Sequence, residues 1–331
     1  MLVPVRDGAS SKEEFEMDMG PFRTLVRTEG ARLYRDLPWR RTRDPYEIWL
    51  SEVMLQQTQV ARVETRWVEW LDRFPSVFAL AEAGTAEVLS AWQGMGYNRR
   101  ALALKSAAEE VARTYDGVFP QETRQLVALP GIGPATAQGI RSFAFDLPGV
   151  YLETNVRAVL LHHLFPDVPE VPDKELAPIV RATCPCAGGT APAFSRADGD
   201  GEPVADRGAE GPFAMRQDEE DTPRNWYYAM LDYGAHLKKT VPNPSRRAKA
   251  YTRQSRFEGS RRQKRAEIVR RLLEAQTSGE ELDGAGVLAA LNEVETRMGR
   301  PAVERELVDE ILADLMREGF CMELDGVWRI A

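Results

Sequence analysis

The sequence is short of thiols, imidazoles and long apolar runs. Its 331 residues hold 3 cysteines and 3 histidines. Cys184, Cys186 and Cys321 cannot build a disulfide framework, and Cys184-Pro-Cys186 is too close a pair for the usual zinc or redox spacing, so all three read as free thiols. His162, His163 and His236 have no third ligand at a metal-binding spacing; no metal site is expected, and His162 and His163 read as structural. No stretch approaches the roughly 18 uninterrupted apolar residues that a membrane span needs. The opening MLVPVRDGASSKEEFEMDMG carries acids and no apolar h-region, so a cytoplasmic location without a membrane partner is expected.

A net positive charge is also lacking. The formal balance is −8, which by itself argues against a nucleic-acid partner, but the charges are unevenly placed. From Ser195 to Asp221 there are nine acidic and three basic residues in a Gly-, Ala- and Asp-rich tract without period, too poor in apolar residues to order itself. From Lys238 to Arg271 the balance reverses to thirteen Lys and Arg against Glu258 and Glu267. Such a tract is either a solvated face or a polyanion footprint. Tyr251 and Phe257, interleaved with Arg253 and Arg256, favour contact with a strand, for which Arg246, Arg247, Arg253, Arg261 and Arg262 are the candidate residues.

With 43% apolar and 28% charged residues there is material for two or three packed units. The expected organisation is a disordered N-terminus (1–20), a helical domain (21–240) interrupted by a disordered acidic insertion (187–223), a basic linker (241–260) and a small C-terminal domain (261–331). Helices are predicted over Phe22–Leu37, from Asp44-Pro45-Tyr46-Glu47 onward, and over Val60–Phe74, Ala86–Gln93, Arg99–Thr114, Thr123–Ala128 and Trp226–Lys239.

Several polar residues stand out against this helical background. Glu52 projects from a helix that is apolar on most sides; it is either a buried carboxylate with a raised pKa or a margin residue reaching solvent or an arginine. Gln56, Gln57 and Thr58 follow, suited to probing base edges or simply ending the helix. Tyr97 sits in the glycine-flanked turn WQGMGYN, either wedged toward a base stack or packed beneath the turn. Asp232 is a second possible pocket carboxylate. In LPGIGP, Pro130 ends one helix, Gly131 and Gly133 supply backbone angles that other residues resist, and Pro134 opens the next. The free N–H groups at that helix start suit a DNA phosphate, although an ordinary helix–helix turn reads the same way. Glu153 and Asn155 stand between two apolar runs, in a surface loop or lining a pocket.

The segments LPWRRTRDPYEIWLSEVMLQQTQVARV, WQGMGYNRRA, FPQETRQLVALPGIGPATAQGI, LETNVRAVL and WYYAMLDYGAHL resemble, in order and spacing, the helix-hairpin-helix DNA glycosylases, and most of all the MutY-type adenine glycosylases. The resemblance runs from Leu37 to about Lys239, the acidic insertion apart. It implies an all-α fold with a six-helix barrel lobe and a second lobe made of the N-terminal helix and the residues after the hairpin. It implies double-stranded DNA carrying a mismatched or damaged base as partner, with the target base flipped out. Glu52 falls on the general acid that protonates the leaving purine, Glu153 on an aspartate that stabilises the cationic sugar, and Asn155 on its asparagine neighbour. Gln56, Gln57 and Tyr97 match residues that enter or support the gap in the duplex.

Four departures accompany the resemblance. Glu153 is one methylene longer than the family's aspartate. Ala135 stands where bifunctional relatives carry a Schiff-base lysine, so no efficient lyase step is expected. The four-cysteine iron-sulfur loop is absent, so no cofactor is expected. The Nudix-like C-terminal domain is replaced by residues 261–331, where Arg261–Gln276, Asp283–Glu295 and Pro301–Glu318 read as helices and Phe320–Ile330 as a hairpin turning at Asp325-Gly326. That order suggests a winged helix, which would bind duplex DNA or, given six acids against two arginines over Ala302–Glu318, dock on protein. The expected function is a monofunctional DNA glycosylase of base-excision repair removing adenine opposite 8-oxoguanine or guanine. The alternatives are a glycosylase for another lesion and a lesion sensor that does not cut.

Overall fold

The computed structural model describes residues 18–186, 221–253 and 256–331. The first stretch forms α1 (Gly20–Arg32), α2 (Pro45–Met54), α3 (Val60–Arg73), α4 (Val77–Glu82), α5 (Thr85–Ala91), α6 (Arg99–Tyr115), α7 (Thr123–Ala128), α8 (Pro134–Phe145), α9 (Thr154–His163) and α10 (Asp173–Thr183). Then come α11 (Pro223–Thr240), α12 (Arg261–Ser278), β1 (Leu282–Asp283), α13 (Gly284–Arg297), α14 (Arg305–Arg317), β2 (Cys321–Leu324) and β3 (Val327–Ile330). The described residues are mainly helical, with one small sheet among them near the end of the chain. It divides into two compact units, one from Met1–Trp49 and Gly133–Thr252, the other from Leu50–Ile132 and Arg253–Ala331.

In the first unit α11 is the central element, because its sequence is apolar nearly all round. Trp226, Tyr227, Tyr228, Ala229, Met230, Tyr233 and Leu237 are all buried. Two glycines let neighbours reach its backbone. A Cβ at Gly30 of α1 would sit 2.2 Å from the Ala229 Cβ, and one at Gly234 would sit 2.1 Å from the carbonyl oxygen of Asn155. Ordinary Cβ contacts are far longer, so α1 and the start of α9 are held against α11 by the absence of those methyls. α1 ends at Arg32 rather than at the expected Leu37, since the Arg35 backbone N–H is taken by the Asp232 carboxylate at 3.2 Å and leaves the helical ladder.

The second unit contains α3 to α7 and the C-terminal elements. Val63, Trp67 and Trp70 line one face of α3, and Trp70 packs edge-on against Phe74 and Trp92 at 4.9 and 5.5 Å between ring centres. In the C-terminal part the order α12, β1, α13, α14, β2, β3 makes a winged-helix arrangement. β2 and β3 pair antiparallel through Cys321↔Ile330 and Leu324↔Val327, turning at Asp325 and Gly326 (φ 52° and 79°), as the Asp-Gly pair predicts. β1 adds Leu282↔Trp328 on the other side of β3, a strand too short to show as a pattern in the sequence.

The N-terminal segment 1–20 and the insertion 187–223, expected to be disordered, lie outside the described residues except at their margins. There the expectation is corrected. Gly20 opens α1, Thr222 caps α11 by accepting the Asn225 N–H at 3.3 Å, Pro223 fills its first turn, and Asp221 receives hydrogen bonds from Arg23 and Arg27.

Candidate functional site

Glu153 is the N-cap of α9. Its extended backbone (φ −114°, ψ −179°) turns the carboxylate over the helix start, where it accepts the Asn155 N–H at 2.7 Å. The residue is half-buried, with its carboxyl held away from solvent at the helix start. Burial pushes its pKa above the ordinary carboxylate range. The Asn155 N–H, the Lys238 ammonium and the Val156 and Thr154 N–H groups oppose that shift. Lys238 lies one turn beyond Gly234 on α11, on the face that meets Asn155. Burial lowers the Lys238 pKa while Glu153 acts to raise it. The Oδ1 of Asn155 is buried with no hydrogen-bond partner among the described residues. In the sequence Lys238 is one of thirteen basic residues of the 238–271 tract. Its spacing of four from the helical Gly234 is the one signal that sets it apart, and only the packing of α11 on α9 gives it meaning.

Asp232 is not a pocket carboxylate. Arg40 grips both its oxygens at 2.7 and 2.8 Å, Arg35 adds a third contact at 2.5 Å, and the Arg40 guanidinium lies 4.3 Å from the Tyr228 ring centre. This buried pairing joins the Pro38–Arg40 turn to α11. His163 serves structure too: its Nε2 is 2.8 Å from the Tyr233 hydroxyl, and burial pushes its pKa down to about 4.

In the second unit Glu52 is half-buried on α2, beside the buried Ser51, Val53 and Met54. The turns after α2 and before α6 are tied together by Arg100. Its guanidinium donates to the carbonyls of Val53, Met54 and Gln56 at 2.8, 3.2 and 2.7 Å, and to those of Met95 and Gly96 at 3.1 Å each. It also reaches the Thr58 hydroxyl at 3.3 Å, so Thr58 is part of the framework. Burial lowers the Arg100 pKa to about 10. Nothing in the sequence separates Arg100 from its neighbour Arg99; the carbonyls it binds come from two segments, 53–56 and 95–96.

Gln57 and Tyr97 both have left-handed backbones, φ 55° and 50°. Such angles are uncommon for side-chain-bearing residues. Tyr97 is half-buried and engaged by two arginines. Its hydroxyl accepts from Arg262 at 2.5 Å, and guanidinium carbons of Arg262 and Arg100 lie 4.9 and 5.5 Å from its ring centre. Gln56, Gln57, Tyr97, Arg261 and Arg262 line one cavity of about 550 Å³.

The hairpin glycines divide. Gly131 has φ 73°, and a Cβ there would lie 2.6 Å from that of Ala103, so glycine is required. Gly133 has φ −82° as the N-cap of α8 with nothing near its absent Cβ, which corrects the expectation that it supplies a special angle. Of the basic candidates, Arg246 and Arg253 are exposed, whereas Arg247 donates to the Leu161 carbonyl at 2.6 Å. Arg261 is held by Glu310 and Asp314 at 3.0 and 2.7 Å, so part of the acid on α14 is consumed inside its own unit.

Residues 50–181 match the model of the HhH-GPD superfamily base excision DNA repair protein. Several curated proteins that resemble this chain are adenine DNA glycosylases. That of Mycolicibacterium smegmatis is 45% identical over 145 residues, 44% of this chain and 49% of that protein. That of Mycobacterium tuberculosis is 45% identical over 130 residues, 39% of this chain and 43% of that one, and that of Mus musculus 38% identical over 152 residues, 43% and 30%. The chain thus spans about half the length of these relatives or less. Among solved structures, a thermostable thymine-DNA glycosylase gives a TM-score of 0.48 at 20% identity, covering 66% of this chain and 88% of that one. A non-covalent endonuclease III–DNA complex gives 0.44 at 21% identity, covering 51% and 79%.

Proposed function

We propose that this chain is a monofunctional DNA glycosylase of the adenine-excising type, working on double-stranded DNA in cytoplasmic base-excision repair. One observation carries the reading: the HhH-GPD match over residues 50–181 spans Glu52, Gln56, Gln57, Tyr97, the LPGIG turn, Glu153 and Asn155 together. Within it, Glu52 donates a proton to the flipped adenine so that the base leaves neutral. The sugar then carries an oxocarbenium-like charge, which the Glu153 carboxylate stabilises until water adds at C1′. The α9 amides and Lys238 favour the ionised form that this role needs. Ala135 offers no amine, and three cysteines cannot supply four thiolates, so the proposal includes neither a lyase step nor an iron-sulfur cluster.

The test is base release from duplexes with adenine opposite 8-oxoguanine, guanine or cytosine, comparing wild type with Glu52→Gln and Glu153→Gln. Adenine release opposite 8-oxoguanine or guanine that disappears in Glu52→Gln is the expected result. Tight binding without release from any of these duplexes would overturn it, in favour of another lesion or of a sensor.

A further inference from the structure

The second unit contains a cavity whose walls come from the turns around Gln57 and Tyr97 and from the C-terminal helices, and neither the resemblance nor the proposed chemistry uses its C-terminal wall. We propose that this cavity binds one unpaired purine nucleotide of a DNA strand, so that the C-terminal unit takes part in reading a base. The inference rests on the glycosylase reading above.

The cavity's volume, about 550 Å³, lies within the range of about 300–1,000 Å³ typical of ligand pockets. Its floor is apolar, with Val269, Leu315 and Phe320, which suits the face of a base. Flat groups stand around it: the Arg262 guanidinium is 4.9 Å from the Tyr97 ring centre and 5.2 Å from that of Phe257. Phe257 is 43% exposed, so its ring has surface left for stacking. Amide and guanidinium groups at the rim are those that pair in bidentate fashion with purine edges, Gln with adenine and Arg with guanine. The left-handed backbones of Gln57 and Tyr97 hold both residues at this rim.

The charge distribution selects the ligand further. Arg261 is engaged by Glu310 and Asp314, and Arg265 by Glu318 at 2.6 Å. Three of the five arginines that line the cavity, the largely exposed Arg99 included at 3.2 Å from Glu318, thus already face a carboxylate. That fits one phosphodiester better than the polyphosphate of a free nucleotide.

The experiment uses the full chain and fluorescence anisotropy with labelled duplexes. Each carries a tetrahydrofuran abasic analogue facing guanine, cytosine or a second abasic analogue. Wild type is expected to bind the guanine duplex about tenfold more tightly than the doubly abasic one, the size of effect that stacking a base on aromatic side chains gives. Phe257→Ala and Gln57→Ala are each expected to reduce that ratio to about threefold or less. Equal, tight binding of all three duplexes by wild type would overturn the cavity assignment and leave the glycosylase reading standing, as would a ratio unchanged in both variants. Failure to bind any duplex would overturn the glycosylase reading and this inference with it.

Discussion

The carboxylate of Glu153 accepts the backbone N–H of Asn155 at 2.7 Å, so the side chain proposed to face the cationic sugar also caps the helix that carries it. Capping supplies partial positive charge from the helix start, and Lys238 supplies a full one. Burial works against both, and the net direction is upward.

Replacing Lys238 with Met removes a cation that favours the ionised form, so the Glu153 pKa should rise further. The acid limb of base release should then move to higher pH in Lys238→Met than in wild type, and the ¹³C carboxyl titration of Glu153 should move with it. An acid limb that stays in place would show that Lys238 does not act on this group.

Glu153→Gln tests the same burial through stability. A carboxyl whose folded pKa is raised above its unfolded value contributes stability that is fully present below the unfolded pKa and is lost as pH rises through the folded one. Wild type therefore carries a penalty near neutral pH that the amide does not. Thermal melting should show Glu153→Gln more stable than wild type at pH 8, with the difference shrinking toward pH 4. Equal differences at both pH values would contradict the assignment.

Arg100→Met should unfold the framework of the two turns. It removes six hydrogen bonds and leaves carbonyls of Val53, Met54 and Gln56 without that donor, a loss of about 3 kcal/mol or more by denaturant titration. Arg100→Lys should recover little, since an ammonium cannot reach segments on several sides of a planar fork.

Gly234→Ala should cost about 3 kcal/mol, because the new methyl would meet the Asn155 carbonyl and force α9 from α11. Gly133→Ala, with open space around it and an ordinary φ, should cost less than about 1 kcal/mol. The contrast, read from chemical denaturation of the two variants, separates a packing glycine from one that merely precedes a helix.

Gln57→Gly should stabilise the fold by roughly 0.5–1 kcal/mol by relieving a left-handed side-chain-bearing residue, partly offset by the entropy of glycine. If Gln57 contacts a purine at the cavity rim as proposed, the same variant should lose activity. Stability gained together with activity lost is the expected outcome of urea melts run beside base-release assays.

The sequence by itself determined the helical class, the Asp325-Gly326 hairpin and most helices of the C-terminal unit, because these depend on local periodicity, caps and turn residues. It also made Glu52, Glu153 and Tyr97 visible, as polar or aromatic residues in unusual local company. What each side chain touches was decided only by tertiary structure. Asp232 reads as a carboxylate amid apolar helix and Glu153 as one between two apolar runs, yet Arg40 neutralises the first while helix amides and Lys238 surround the second. Arg99 and Arg100 are adjacent and identical, yet one is largely exposed and the other binds five carbonyls. These differences arise from groups distant in sequence, and a local pattern carries no information about which distant groups the packed chain will bring alongside.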